Sequence, residues 1–156
     1  MTDYRLLRAQ IESVCEGCRK PLPVLSNAAA LLWMTLPDIN WAGFYLLSGD
    51  SLYLGPFQGK AACTAIPVGR GVCGTAAKER RTMRVPDVHA FPGHIACDSA
   101  SRSELVIPLL TADGRLMGVM DIDSPIPDRF DEADRQGLEA FAAALCEAAD
   151  WSGGLV

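Results

Sequence analysis

The sequence predicts an α+β fold, a central antiparallel sheet with helices grouped at the two ends of the chain. Three observations predict it. Apolar residues recur at helical spacing mainly near the N- and C-terminal ends, while the middle of the chain carries strand-like runs. Those runs follow one another through short turn-rich segments, as antiparallel neighbours do. No internal repeat or linker divides the chain, so residues 1–156 read as a single domain.

The elements follow in order. Leu7, Ile11, Val14, Cys15 and Cys18 recur at helical spacing, which places Cys15 and Cys18 one turn apart on the apolar face of a first helix. A second helix is expected from Pro23 to about Leu36, with Pro37-Asp38 ending it. Residues 39–47 (INWAGFYLL) and 51–58 (SLYLGPFQ) read as strands joined through Ser48-Gly49-Asp50. Residues 62–67 make a third short strand, Gly71 to Arg80 a short helix, and TMRVPDV a further strand. A loop runs from about His89 to Ser103. ELVIPLL and RLMGVMDID then form a hairpin around Ala112-Asp113-Gly114. A last helix begins at about Asp131, with Leu138, Phe141, Ala142, Leu145, Cys146 and Ala149 on its apolar face.

Composition narrows the function. The chain of 156 residues is 49% hydrophobic and 21% charged, ordinary for a soluble globular domain large enough to bury a core. A net charge of -5 argues against a nucleic-acid surface, which needs a clustered positive field. Charges, Gly or Pro interrupt every apolar run before it reaches membrane-span length. The opening MTDYRLLRAQ lacks the apolar segment of a secretory signal, so the expected compartment is the cytoplasm.

In that compartment six cysteines suggest metal or redox chemistry rather than a disulfide scaffold. Cys146 reads as a buried small hydrophobe of the last helix, and Cys15 and Cys18 as packing residues of the first. Cys63, Cys73 and Cys97 lie in segments rich in Gly, Ser and Pro, KAACTAIPVGRGVCGTAA and HAFPGHIACDSASRSE. Accessible thiols near donors or positive charge become nucleophiles. Cys97 has His94 three residues before it and Arg102 five after it. A zinc site from Cys63, Cys73, Cys97 and His94 competes on donor type. The gaps between its cysteines are ten and twenty-four residues, and only His94 with Cys97 gives the close spacing of structural zinc pairs, so no metal is expected.

Two further patterns bear on a ligand. Alternation along RLMGVMDID places Asp121 and Asp123 on one face, roughly 7 Å apart, where repulsion would raise one carboxyl's pKa. Glu104, at the start of the partner strand, can add a third acid; solvated acids at strand ends are the plainer alternative. On INWAGFYLL, Trp41, Gly43 and Tyr45 share a face. Gly43 would leave a slot between two rings roughly 13 Å apart, able to take a small apolar group, although core packing explains the same residues.

The segments NAAALLWMTLPDINWAGFYLL, LGPFQGKAACTAIPVGRGVCGTAA, DVHAFPGHIACDSASRSELVIPL and GVMDIDSP closely resemble the free methionine-(R)-sulfoxide reductases, enzymes built on the GAF fold. The resemblance covers about residues 22–150. It implies a single GAF domain over 1–156, with its terminal helices on one face of the sheet and the ligand pocket on the other. It implies that Cys97 is the catalytic thiol, Cys63 the main resolving thiol and Cys73 a third thiol able to join disulfide exchange. Trp41 and Tyr45 match the family's wall around the substrate methyl group; Glu104, Asp121 and Asp123 match its acidic cluster around the sulfoxide and amino groups. Thioredoxin as reductant and a homodimer are implied as well, with no cofactor. Cys15, Cys18 and Cys146 match no motif of the family.

The implied chemistry is physically coherent. A thiolate attacks the sulfoxide sulfur while a raised-pKa acid protonates the departing oxygen. The resulting sulfenic acid condenses with a second thiol, and an external dithiol resets the pair. Two other classes stay open at this point: a non-catalytic GAF sensor of a small molecule, and a thiol redox sensor.

Overall fold

The structure, a computed structural model, describes residues 1–94 and 98–156. Six strands form one sheet: β1 (Trp41–Ser48), β2 (Ser51–Gly59), β3 (Ala65–Pro67), β4 (Met83–Val85), β5 (Ser103–Leu110) and β6 (Leu116–Ser124). Their order is β3-β2-β1-β6-β5-β4, with every neighbouring pair antiparallel. The helices are α1 (Tyr4–Val14), α2 (Pro21–Thr35), α3 (Gly71–Glu79) and α4 (Glu132–Ala148). The α+β architecture and the β5–β6 hairpin agree with the sequence.

Strand alternation divides the sheet into two faces. Ala42, Phe44, Leu105, Ile107, Met120 and Ile122 point to one side, where they pack with Leu7, Ile11, Leu25, Leu32, Leu138 and Phe141 of α1, α2 and α4. The intervening residues Trp41, Tyr45, Val106 and Val119 point to the other side and pack with Ile66, Val72, Cys73 and Ala76. Both clusters exclude water from large side chains, at roughly 1.5–3 kcal/mol each. No described helix is long and apolar enough to cross a membrane.

Local signals fix the helix ends. The Asp3 side chain accepts from Leu6 N at 3.1 Å to start α1. α2 begins at Pro21, two residues before the expected start, since the first turn of a helix needs no backbone donor there. In α4 Asp131 and Asp134 form a reciprocal capping box. The expected strands at 62–67 and 82–88 shrink to three residues each at the sheet edges. Pro86 directly follows the second of these and has no N–H for a ladder.

One expectation fails in α1. The helix ends at Val14, and Gly17 takes a left-handed φ of 84° in the turn that follows. Cys15 stays buried at the C-cap, whereas Cys18 is carried off the apolar face and is exposed, as is Val14. Cys18 is therefore not a core packing residue.

Strand β2 holds a bulge. Gly43 pairs with Phe57 but Tyr45 pairs with Leu54, so Gly55-Pro56 contribute one extra residue. Proline fits there because the bulge interrupts the ladder. The bulge also changes which residues face the second cluster: Leu52 and Leu54 before it, Phe57 after it.

Candidate active site

The register of β1, β6 and β5 assembles the site. Trp41 pairs with Asp123 and Gly43 with Asp121 across β1–β6, while Glu104 pairs with Asp123 and Val106 with Asp121 across β5–β6. Trp41, Tyr45, Glu104, Asp121 and Asp123 consequently share the face away from α1, α2 and α4. All five line one pocket, with Cys73 at the start of α3 and His94, Asp98 and Ser101 from the loop before β5.

The aromatic pair differs from the expected slot. The Trp41 and Tyr45 rings stack with centroids 5.8 Å apart, and Phe57 stacks on Trp41 at 5.2 Å. A Cβ on Gly43 would lie 2.3 Å from the Cβ of Phe57. Gly43 thus admits the neighbouring strand rather than a ligand. Backbone rise alone suggested 13 Å, but side chains on a twisted strand lean together. Polar ends fix the rings: Trp41 Nε1 donates to Lys60 O at 3.1 Å and Tyr45 Oη to Cys63 O at 2.9 Å. The rings are a wall of the pocket, not the two sides of a cleft.

The three acids sit deep. Glu104 is 7% and Asp121 5% exposed, and Asp123 is partly buried, so they are not solvated strand ends. Burial pushes the Glu104 carboxyl well above its ordinary range, and the charges of Asp121 and Asp123 add to the rise. Asp123 is likewise pushed well up, first by burial and then by Asp121. Burial also raises Asp121, but hydrogen bonding with Glu104, Asp123 and Cys73 opposes the rise. Repulsion is therefore real but secondary to desolvation. The cluster favours charge on Asp121 and protons on Glu104 and Asp123. Asp121 Oδ1 is nevertheless buried without a hydrogen-bond partner among the described residues.

The cysteines separate clearly. Cys73 is a buried free thiol whose Sγ donates to Glu104 Oε2 at 3.9 Å. Burial, followed by the charges of Asp121 and Glu104, holds its pKa well above the ordinary value. Cys63, half-buried on the segment before β3, is disulfide-bonded. Cys146 is buried in the core as expected, and burial alone pushes its thiol up to about 12. Cys97 lies outside the described residues. Of the donors considered for zinc, Cys73 joins Glu104 and Asp121 in a group whose ligand atoms lie within 4.8 Å of one another.

Sequence reasoning missed Arg70, Asp98 and Ser101 of the pocket lining, and Asn40 and Phe57 that brace it. Asn40, just before β1, donates from Nδ2 to Asp98 Oδ2 and Ser101 Oγ, both at 3.1 Å, and its Oδ1 is buried without a partner among the described residues. It ties the loop to the sheet margin. Asp98 also accepts from Ala100 N at 2.9 Å, an Asx turn that the run Asp98-Ser99-Ala100-Ser101 permits. Arg70 and Phe57 carried no local signal, since their positions depend on α3 and on the β2 bulge.

Comparison with known proteins identifies the fold and the family. Residues 21–148 match the GAF domain family. The chain is 52% identical over 142 residues to the free methionine-R-sulfoxide reductase of Escherichia coli, covering 91% of this chain and 86% of that one. The reduced form of the Staphylococcus aureus fRMsr superposes with a TM-score of 0.92 at 51% identity, covering 96% of this chain and 97% of that one. The Neisseria meningitidis free methionine-R-sulfoxide reductase, in complex with its substrate, gives 0.88 at 47% identity, covering 93% and 87%. The chain belongs to the GAF-domain family of free methionine-R-sulfoxide reductases.

Proposed function

We propose that the chain, a single GAF domain over residues 1–156, reduces free L-methionine-(R)-sulfoxide to methionine. One observation carries the reading: three carboxyl groups crowd the floor of a pocket walled by Trp41 and Tyr45, with Asp121 Oδ1 lacking a partner among the described residues. A buried carboxylate without a cation suits the ammonium of a free amino acid, which methionine within a peptide lacks. A peptide would leave that charge unpaired, a penalty that rejects the wrong ligand. The names of the reductase relatives, at about half identity, support the substrate.

The Cys97 thiolate attacks the sulfoxide sulfur. Glu104 or Asp123, each kept protonated by its surroundings, protonates the sulfoxide oxygen. The sulfur–sulfur bond made in the attack then breaks as the oxygen passes from the substrate sulfur to Cys97, so methionine leaves carrying two more electrons and Cys97 becomes a sulfenic acid. The Cys63 thiol condenses with it, forming a disulfide and expelling water. A dithiol of thioredoxin then supplies two electrons and two protons. Cys73 is the weaker resolving candidate, because its buried, acid-flanked thiol resists ionisation while Cys63 already stands in a disulfide. Trp41 and Tyr45 bound the substrate methyl group. The reading includes a cytoplasmic compartment and a homodimer, the latter checked by light scattering.

The test is thioredoxin-coupled reductant consumption with free R-sulfoxide, free S-sulfoxide and a peptide-bound sulfoxide. Turnover of the first alone, abolished in Cys97→Ser, is expected. Activity surviving that substitution sinks the nucleophile, and equal use of both epimers sinks the pocket assignment.

A further inference from the structure

Cys73, Glu104 and Asp121 have a second chemical capacity. Their sulfur and carboxylate oxygen atoms lie within 4.8 Å of one another, and all three side chains are buried. Zinc bonds thiolate sulfur at about 2.3 Å and carboxylate oxygen at about 2.1 Å, so neighbouring donors on one tetrahedral ion stand about 3.6 Å apart. Closing the present spacing to that value needs a shift of about 1 Å, within reach of side-chain torsions.

Among the described residues the cluster also has no cation paired with it: none of the three residues is in an ion pair with Lys, Arg or His. Asp121 is 5% exposed, lines the pocket and keeps Oδ1 without a partner among the described residues. That orphaned oxygen is an observation independent of the donor spacing, and it points to a positively charged ligand. His94 lines the same pocket and offers a nitrogen.

We propose that Cys73, Glu104 and Asp121 form a three-ligand site for a divalent cation that binds sulfur, Zn²⁺ or Cd²⁺, with its fourth position open to the pocket. The donor set fits such ions: one thiolate selects against Mg²⁺ and Ca²⁺, and three protein ligands plus an open position give a tetrahedron. Binding replaces the Cys73 sulfur–hydrogen bond by a sulfur–metal bond and displaces the proton that burial favours on Glu104, and both protons pass to solvent. No electron moves. An ion held there occupies the acids proposed for the substrate, so it blocks turnover; this consequence alone rests on the reductase reading.

Cd²⁺ titration of the full oxidised chain, with Cys63 kept in its disulfide, tests the site through cadmium–thiolate charge-transfer absorption. One equivalent is expected to bind. The band should persist in Cys18→Ser, vanish in Cys73→Ser and need at least tenfold more Cd²⁺ in Asp121→Asn, all checked for folding by circular dichroism. Should Cys73→Ser not fold, the Asp121→Asn titration decides. No band in the parent chain, an undiminished band in Cys73→Ser or unchanged affinity in Asp121→Asn overturns the proposal. X-ray absorption of the Zn²⁺ form should give one sulfur and otherwise nitrogen or oxygen; two or more sulfurs overturn this ligand set. Binding without any sulfoxide turnover by the metal-free chain leaves the site standing and removes the reductase reading.

Discussion

Glu104 of β5 stands directly opposite Asp123 of β6, a pairing of two acids inside the protein. Like charges placed opposite one another destabilise a sheet when both are ionised, and burial adds a larger penalty. Burial and the neighbouring carboxylates accordingly hold both carboxyls well above their ordinary pKa range.

Stability should therefore depend on pH in an unusual direction. Both folded-state pKa values lie above the unfolded values, so their contribution is complete below the unfolded carboxyl pKa of about 4.3 and is lost as pH rises towards the folded values. Within that window each group holding an extra proton lowers unfolding free energy by up to about 1.4 kcal/mol per pH unit. Urea midpoints between pH 5 and 8 should fall more steeply for the parent chain than for Glu104→Gln. Parallel curves would show that Glu104 is ionised at neutral pH.

Gly43→Ala should destabilise by about 2–3 kcal/mol, as an overpacked core does. The added methyl meets Phe57, Pro56 O and the β2 backbone, none of which can yield cheaply. Near-ultraviolet circular dichroism should change too, because Phe57 and Trp41 are stacked. A fully stable Gly43→Ala with an unchanged aromatic spectrum would contradict the close approach of β2.

Asp134 joins three parts of the chain. It accepts from Tyr4 Oη at 2.6 Å, from Arg129 at 3.1 Å and from Asp131 N at 3.0 Å. Asp134→Ala should cost about 3 kcal/mol, since the little-exposed Arg129 guanidinium loses its carboxylate and keeps only Pro37 O, and the helix loses its capping box. Arg8→Ala breaks an ion pair whose partners are each 54% exposed, and should change stability by less than about 0.5 kcal/mol. Equal losses in the two variants, measured by urea unfolding, would refute this ranking.

Among Cys15, Cys18, Cys73 and Cys146, thiol labelling of the native chain should modify Cys18 first. It is the exposed free thiol among the described residues, while Cys15, Cys73 and Cys146 are buried. Reactivity follows thiolate fraction and access, and burial denies both to Cys146. Mass spectrometry after brief alkylation should find Cys18 modified well before Cys146. The reverse order would mean that α4 opens on the labelling timescale.

The site was partly legible because β-structure encodes its faces by alternation. Trp41, Gly43 and Tyr45, and likewise Asp121 and Asp123, could be assigned to common faces before any strand was paired. Which face met which depended on pairing, so the opposition of Glu104 to Asp123 was not contained in either strand. The stacked rings were illegible for a related reason: backbone rise gives Cα spacing but not the lean of side chains. The phase change at Gly55-Pro56, which brings Phe57 to Trp41, depends on a bulge that its own strand does not announce. Cys18 was misplaced because helical spacing continues in the sequence after Gly17 has turned the backbone away. Asn40, Asp98 and Ser101 act together only after a long connection returns to the start of β1.

The bulge in β2 shows that the sheet is read in a frame. On β1 and β6 the odd-numbered residues face the pocket, on β5 the even-numbered ones do, and β2 changes phase at Gly55-Pro56. A one-residue insertion early in β6 would exchange Asp121 and Asp123 for their neighbours, turning two acids into the apolar core and Met120 and Ile122 into the pocket. Substitutions can thus tune this protein residue by residue, whereas a frameshift inside β1, β5 or β6 would lose the site and the core together.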